Sequence, residues 1–438
     1  MENFKKIILN PWFILFISGL FLNIPFFFPN IFAEFLAFFI IAPAFYAITK
    51  VEKNKRYLGG LLFFGAWILP TTYWYYHFMP VWLAFLASFG FVGLIAHVFH
   101  ISNLIKKKNI VVDFLIIIIS WVGLTILRIN LPIVKDWWVP DIFYTQCQNL
   151  SVLQIANFSG IYGILFLILA INAILAYFLI KKKKRTAIIF VITICAIFLL
   201  GNFTIKHFAK TEKQNISLIA IQSSPENGYR ADANFNDIKN LKNLTIKALA
   251  EIQNKSSKNI FVLWPENMIT ENDSKTLADF AKENNIFLTF NRAEKSNNLP
   301  FNSVVMINNS GKEILRNYKT HKAPGEKISI PIKNIQNFVE IDKVKITSDI
   351  CYDLHYPDFK EKVKKSSLLF APIDDDRFGK FMPYLHARDV IFRAIENRIN
   401  ILTASTNGPT FFVNKYGIIE KGPLEIYKEG YLILETGI

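Results

Sequence analysis

"ITSDICYDLHYPDF" occupies residues 346–359 and reads as a strand that runs into one cysteine, then breaks into a polar, proline-containing turn. The chain has three cysteines, and Cys351 is the only one in its second half. Asp349, Asp353 and Asp358 surround it, and neighbouring carboxylates raise a thiol pKa rather than lower it. If Cys351 is a nucleophile, its activation comes from elsewhere in the chain; the alternative is a small buried hydrophobe.

The texture around this stretch is an alternation of short β-rich runs with amphipathic segments. Residues 216–222, 259–266, 286–293, 302–308, 343–351, 366–373, 399–406 and 410–417 read as strands. Between them, 236–253 places Ile238, Leu241, Thr245, Ala248 and Ile252 on one helical face, and 384–398 does so with Leu385, Ile391 and Ile395. Strand and helix in turn predict a layered α/β domain over residues 209–438, large enough for one substantial core. There is no internal repeat and no glycine-rich phosphate loop.

Two further residues stand at strand exits. "VLWPEN" (262–267) ends an apolar run on Glu266, and the C-terminal end of a buried strand is where α/β folds place their chemistry. "LRNYKTHKAPGE" (315–326) carries Lys319 at the exit of another β-like run. Each is unremarkable alone, a helix-start carboxylate or a solvated charge. Together, at three successive strand ends, Glu, Lys and Cys supply a general base, a fixed cation and a nucleophile.

The first half is different. Hydrophobic residues make up 52% of the chain and aromatics 15%. Apolar runs cover 11–29, 31–49, 59–78, 81–101, 110–128, 160–180 and 186–203, each near the ~20 residues that cross a ~30 Å hydrocarbon core. This predicts an all-helical membrane domain of about seven spans over residues 1–208. Lysine and arginine cluster at 5–6, 50–56, 106–108 and 181–185, and the alternate loops are poor in them. The positive-inside rule then puts the N-terminus in the cytoplasm and everything after residue 204 on the outer face. The net charge of +15 belongs largely to these clusters, so it argues for anionic lipid rather than nucleic acid.

The order "WPE", "K…P.GE" and "CYD" resembles the carbon–nitrogen hydrolase (nitrilase) superfamily. A domain of that kind behind a membrane-embedded half resembles the apolipoprotein N-acyltransferase family. "LSVLQIANFSGIYGILFLILAIN" (150–172) is similar to that family's Q-[IL]-A-x-x-x-G-x-[YW]-G segment; "FNSVVMINNSGKEILRNYK" (301–319) and "RAIENRINILTASTNGPT" (393–410) resemble its hairpin and its R-A-x-E region. The resemblance implies a four-layer αββα sandwich. It assigns Glu266 as base, Lys319 as oxyanion stabiliser and Cys351 as nucleophile. Glu326 would orient the lysine, and Tyr352 would line the site and offer its backbone N–H to the oxyanion.

It also implies a phospholipid acyl donor, a thioester on Cys351 and, as acceptor, the α-amine of a diacylglyceryl-cysteine at a lipoprotein N-terminus. The enzyme would be a monomer in a bacterial inner membrane with its catalytic domain in the periplasm. The chain departs from the pattern in several places. "APGE" lacks a phenylalanine before its glycine, Asp353 replaces a glutamate, and "DDDRFGK" (374–380) puts Arg377 where an aromatic is usual. An amidase or acyltransferase with the same three residues and another substrate is the competing reading, and a scaffold without catalysis a third.

No His/Cys/Asp/Glu cluster reads as a metal site, and no cofactor is expected. Cys147 and Cys195 read as unpaired thiols, Cys195 inside the last span and packed there. Trp74, Tyr75 and Tyr76, and Trp137 with Trp138, read as interfacial belts.

Overall fold

Every residue of β1 (Ile216–Gln222) is buried, the mark of a strand covered on both faces. Leu218 and Ala220 point to one core, Ile219 and Ile221 to another. The computed structural model describes residues 10–103, 109–131, 134–135, 137–209, 216–224, 235–252, 259–266, 269–296, 299–331 and 337–435. The chain divides into two compact units, residues 1–208 and 209–438.

In the second unit, β1 lies in a six-stranded sheet of order β12-β1-β2-β3-β4-β5. Its other members are β2 (Asn259–Leu263), β3 (Phe287–Ser296), β4 (Leu299–Ile307), β5 (Glu313–Tyr318) and β12 (Gly430–Leu434). The second sheet has order β11-β10-β9-β8-β7-β6. It comprises β6 (Val339–Ile341), β7 (Val344–Ser348), β8 (Leu368–Asp374), β9 (Asn400–Thr406), β10 (Phe412–Val413) and β11 (Ile419–Lys421). In each sheet three parallel strands form the centre, β1-β2-β3 and β7-β8-β9, and antiparallel strands extend both edges.

The sheets pack face to face through Leu218, Phe261, Leu263, Ile346, Phe370 and Leu402, with the rings of Phe261 and Phe370 6.2 Å apart. The other face of the first sheet is covered by α9 (Phe235–Glu251) and α10 (Glu271–Glu283), through Leu241, Ala248, Leu277 and Phe280. α12 (Met382–Asn397), with Leu385, Val390, Phe392 and Ile395 buried, packs against β9 and β10 of the second sheet. Helix, sheet, sheet, helix is the αββα sandwich. The sequence reading passed over α10 and β12, and it extended β2 three residues too far. Pro265 explains the last: it has no N–H to continue the ladder.

The first unit is helical. Its apolar helices are α1 (Pro11–Phe21), α2 (Ile31–Ile40), α3 (Ala42–Ile48), α4 (Arg56–Thr71), α5 (Val81–Ile101), α6 (Ile110–Asn130), α7 (Ala156–Lys181) and α8 (Lys184–Phe208). Ile31–Ile48, α5, α6, α7 and α8 are long and apolar enough to cross a membrane, while Pro11–Phe27 is a shorter apolar stretch. The break between α2 and α3 falls beside Pro43. There Asn172 of α7 accepts from the N–H groups of Ile41 (3.0 Å) and Ala42 (2.8 Å) and donates to Ala37. Backbone groups freed by a helix break must find partners in an apolar surround, and one buried amide provides them.

Several expectations change here. Asp113, an acid at the start of the 110–128 run, is buried in an ion pair with Arg56 at 2.9 Å, and the same guanidinium donates to Ser102. Trp74, Tyr75 and Trp138 are not a belt but core: each is at most 5% exposed, and the Tyr75 hydroxyl donates to the Trp138 carbonyl. Ring-to-ring packing, with Trp74 and Tyr75 centroids 4.5 Å apart, wins over the interfacial preference. Cys195 is exposed on α8 rather than packed, and Cys147 is a buried thiol that donates to Glu34 Oε1 at 2.9 Å. The charges at 5–6 and 106–108 lie outside the described residues.

Candidate active site

The three predicted residues leave the C-terminal ends of β2, β5 and β7. These strands are not successive: β2 and β5 belong to the first sheet and β7 to the second. What joins them is the face-to-face packing. Trp264 follows β2, and its indole N–H donates to Thr245 of α9 at 3.0 Å. Pro265 ends the ladder, and the Glu266 N–H turns to the Ile373 carbonyl of β8 in the other sheet at 3.4 Å. Asn317, two residues before Lys319, donates to the Ser348 carbonyl, three residues before Cys351, at 3.1 Å. The strand of the lysine and the strand of the cysteine are thereby tied to each other.

Lys319 is 2% exposed and its ammonium lies between two carboxylates, Glu266 Oε1 at 3.1 Å and Glu326 Oε1 at 2.9 Å. Burial works against its charge, but Glu266 and Glu326 outweigh that and hold its pKa well above the usual value. Asn302 of β4 donates to Glu266 Oε1 at 2.8 Å, while its own carbonyl accepts the Lys319 N–H at 2.9 Å. The shortened "APGE" loop still delivers its glutamate. Gly325, at φ +85°, makes the turn that brings Glu326 back, and Glu326 Oε2 accepts the Ala323 N–H at 2.9 Å.

Cys351 begins a 3₁₀ turn, Cys351–His355, and is buried with φ +43°. A non-glycine residue in the left-handed region costs of order 1–3 kcal/mol, sustained only where surrounding contacts over-determine the conformation. Burial pushes the thiol well above its usual pKa, Glu266 and Asp375 add to this, and Lys319 works the other way. The resting thiol is therefore neutral, and its proton must leave as attack occurs. At Asp374, burial and Glu266 hold the carboxyl well above the carboxylate range.

The aspartates around the cysteine are engaged elsewhere. Asp353 accepts from the N–H groups of Thr320 (3.0 Å) and His321 (2.7 Å), so it fixes the loop that follows Lys319. Lys362 pairs with Asp349 at 3.1 Å and Asp353 at 3.3 Å. Asp358 lies 3.7 Å from His321. Tyr352 is buried in the same turn, its ring against His355 and Tyr356. Asn302, Asn317 and Lys362 were not among the predicted site residues; Asn302 and Asn317 both lie in the quoted hairpin (301–319), and Lys362 lies in no stretch quoted above. No group of three or more potential metal ligands occurs among the described residues.

An αββα sandwich with a buried glutamate, lysine and cysteine at adjoining strand ends, carried by a chain with a helical membrane domain, defines a membrane-bound nitrilase-type protein. Two family models match it: the apolipoprotein N-acyltransferase N-terminal domain over residues 18–174 and carbon–nitrogen hydrolase over 233–420. Apolipoprotein N-acyltransferase of Borreliella burgdorferi is 24% identical, the match covering 91% of this chain and 84% of that protein. The Geobacter metallireducens protein of the same name is 22% identical, covering 99% and 90%. Among solved structures, a Saccharomyces cerevisiae member of branch 10 of the nitrilase superfamily aligns with TM-score 0.43 and 18% identity, over 51% of this chain and 90% of that one. The chain belongs to the apolipoprotein N-acyltransferase family.

Proposed function

We propose that this protein N-acylates lipoproteins, with Glu266, Lys319 and Cys351 as its catalytic residues. The observation that carries the reading is buried Glu266 and Lys319, with half-buried Glu326 on the ammonium, and the action of the Glu266 and Lys319 charges on the Cys351 thiol. Glu266 takes the Sγ proton as sulfur attacks an ester carbonyl of a phospholipid, and Lys319 meets the negative charge that develops on oxygen. The carbon–oxygen bond breaks, the lysophospholipid oxygen takes the proton from Glu266, and a thioester remains on Cys351. The α-amine of a diacylglyceryl-cysteine then attacks the thioester and gives up a proton to Glu266. The amide forms, and sulfur leaves and is reprotonated. Each half-reaction returns the site to its starting protonation.

The test is mass spectrometry of the intact protein after incubation with phospholipid and no acceptor. One acyl mass should appear on Cys351 and be removed by hydroxylamine. Cys351→Ala should lose it, and Cys147→Ala and Cys195→Ala should keep it; an adduct persisting in Cys351→Ala overturns the assignment. Adding a diacylglyceryl-cysteine peptide should move the acyl group to its amine and leave lysophospholipid.

Orientation belongs to the same proposal. We place the second unit in the periplasm of a bacterial inner membrane, where lipoprotein N-termini are available, and take the enzyme to act as a monomer. Cysteines introduced at residues 53 and 183 should be labelled only from the cytoplasm, and a C-terminal reporter only from outside. A cytoplasmic C-terminus would separate the site from these acceptors and refute the placement.

A further inference from the structure

α12 turns one face toward the nucleophile's turn. His386, Asp389 and Arg393 are spaced i, i+3 and i+7, and all three are buried. His386 Nε2 lies 3.3 Å from the Cys351 carbonyl, and its Nδ1 lies 3.0 Å from Asp375 Oδ1. Arg393 donates to the Leu354 carbonyl at 2.7 Å and the His355 carbonyl at 2.8 Å, and Asp389 bonds the His355 ring. The carbonyls of Cys351, Leu354 and His355 are thus all taken up by this helix.

Asp375 is itself held in place. Its N–H donates to the Thr406 carbonyl at 3.1 Å, and its side chain packs on Gly408, where a Cβ would come within 2.4 Å of Oδ2 and displace the carboxylate. A carboxylate and a peptide carbonyl both accept, so a histidine bridging them donates from both nitrogens and is an imidazolium. Burial works against that charge, but Asp375 and Asp389 outweigh it and raise the His386 pKa; the neighbouring His355 is lowered to about 4.

We infer that Asp375 and His386 are positioning residues for the acyl-transfer step, locking the strained Cys351–Tyr352 peptide by its carbonyl. In a planar trans peptide the carbonyl and the following N–H point in opposite directions. Fixing the Cys351 carbonyl on His386 therefore turns the Tyr352 N–H away from α12 and sets the direction in which Sγ leaves the backbone.

This inference rests on the acyl-transfer reading, and its test keeps the two apart. Full-length protein in vesicles of phosphatidylethanolamine and phosphatidylglycerol would be followed through single-turnover acylation of Cys351. No adduct in the unmodified protein would refute acyl transfer itself. Given that adduct, two substitutions separate the histidine's two bonds. The amide of His386→Gln reaches the place of Nε2 and keeps a donor for the Cys351 carbonyl. That of His386→Asn reaches only the place of Nδ1. His386→Asn should acylate ~10²-fold more slowly, the loss that misplacement of a reacting group produces, with half-saturation in phospholipid unchanged. His386→Gln should stay within about fivefold of the unmodified rate. Normal acylation in His386→Asn, or equal loss in both variants, overturns the inference. Where His386→Asn does not fold, His386→Gln decides alone, and a ~10²-fold loss in it overturns the inference.

Discussion

Lys319→Ala should lower single-turnover acylation of Cys351 by ~10²–10³, about 3–4 kcal/mol, the usual loss on removing one preorganised donor to an oxyanion. Two further losses act in the same direction. With the ammonium gone, Glu266 and Glu326 are left in a buried site without their cation. The thiol also loses a neighbouring positive charge that favours its ionised form.

Lys319→Arg should not restore the rate. The Lys319 ammonium sits between oxygens at 3.1 and 2.9 Å with 2% exposure, and a planar fork does not fit a space built for a point charge. Lys322, three residues on, is exposed. Lys322→Ala should stay within a factor of about two, since surface substitutions seldom exceed ±0.5 kcal/mol. Near-normal acylation in Lys319→Ala, or loss confined to Lys322→Ala, would show that another lysine does this work.

The contrast between these lysines shows what sequence carries and what it omits. Lys319 was legible because a β-like run ends there and a family spacing fixes its distance from Pro324. Cys351 and Glu266 were legible in the same way, as polar residues that end apolar strands. The contacts that hold them were not. Asn317 ties two strands of different sheets, and His386 meets Cys351 from a helix 35 residues later; no local pattern encodes either meeting. The misreadings have the same root. Trp74, Tyr75 and Trp138 match an interfacial composition, yet they bury one another. Arg56 reads as a topology charge and Asp113 as a helix-start acid, until the bundle brings them to 2.9 Å. Periodicity reports which face of an element is apolar, but not which polar group another element will supply to it.

Lys362 is the clearest such case, and its removal should be the costliest single change to stability. It stands in "KEKVKK" (360–365), where Lys360, Lys364 and Lys365 are exposed. Lys362 alone turns inward, on α11 (Phe359–Val363), to meet Asp349, Asp353 and the Thr320 hydroxyl, the last at 2.6 Å. Burial works against both charges of its pair with Asp353, but Lys362 and His321 hold that carboxyl well below the usual range. Asp349 moves the other way, raised well above it by burial and by its neighbour Asp353. Lys362→Met keeps the stem and removes the charge, leaving two buried carboxyls without a cation. Breaking a buried pair in this way costs about 3–5 kcal/mol. For a domain of this size that corresponds to a fall of roughly 10 °C in melting temperature. The pH dependence follows from the sign. In the unmodified protein the depressed pKa of Asp353 gives stability that is present above the unfolded value of ~4 and lost as pH falls through the folded one. In Lys362→Met the folded-state pKa rises instead, so the folded protein gains protons on acidification. The deficit should be largest at pH 8 and shrink toward pH 5. Thermal unfolding of the full-length protein at both values, followed by tryptophan fluorescence, measures it. Since Asp353 also holds the N–H groups of Thr320 and His321, acylation of Cys351 should slow with the same substitution. A variant as stable as the parent at pH 8 would mean that the carboxyls beside the nucleophile need no cation.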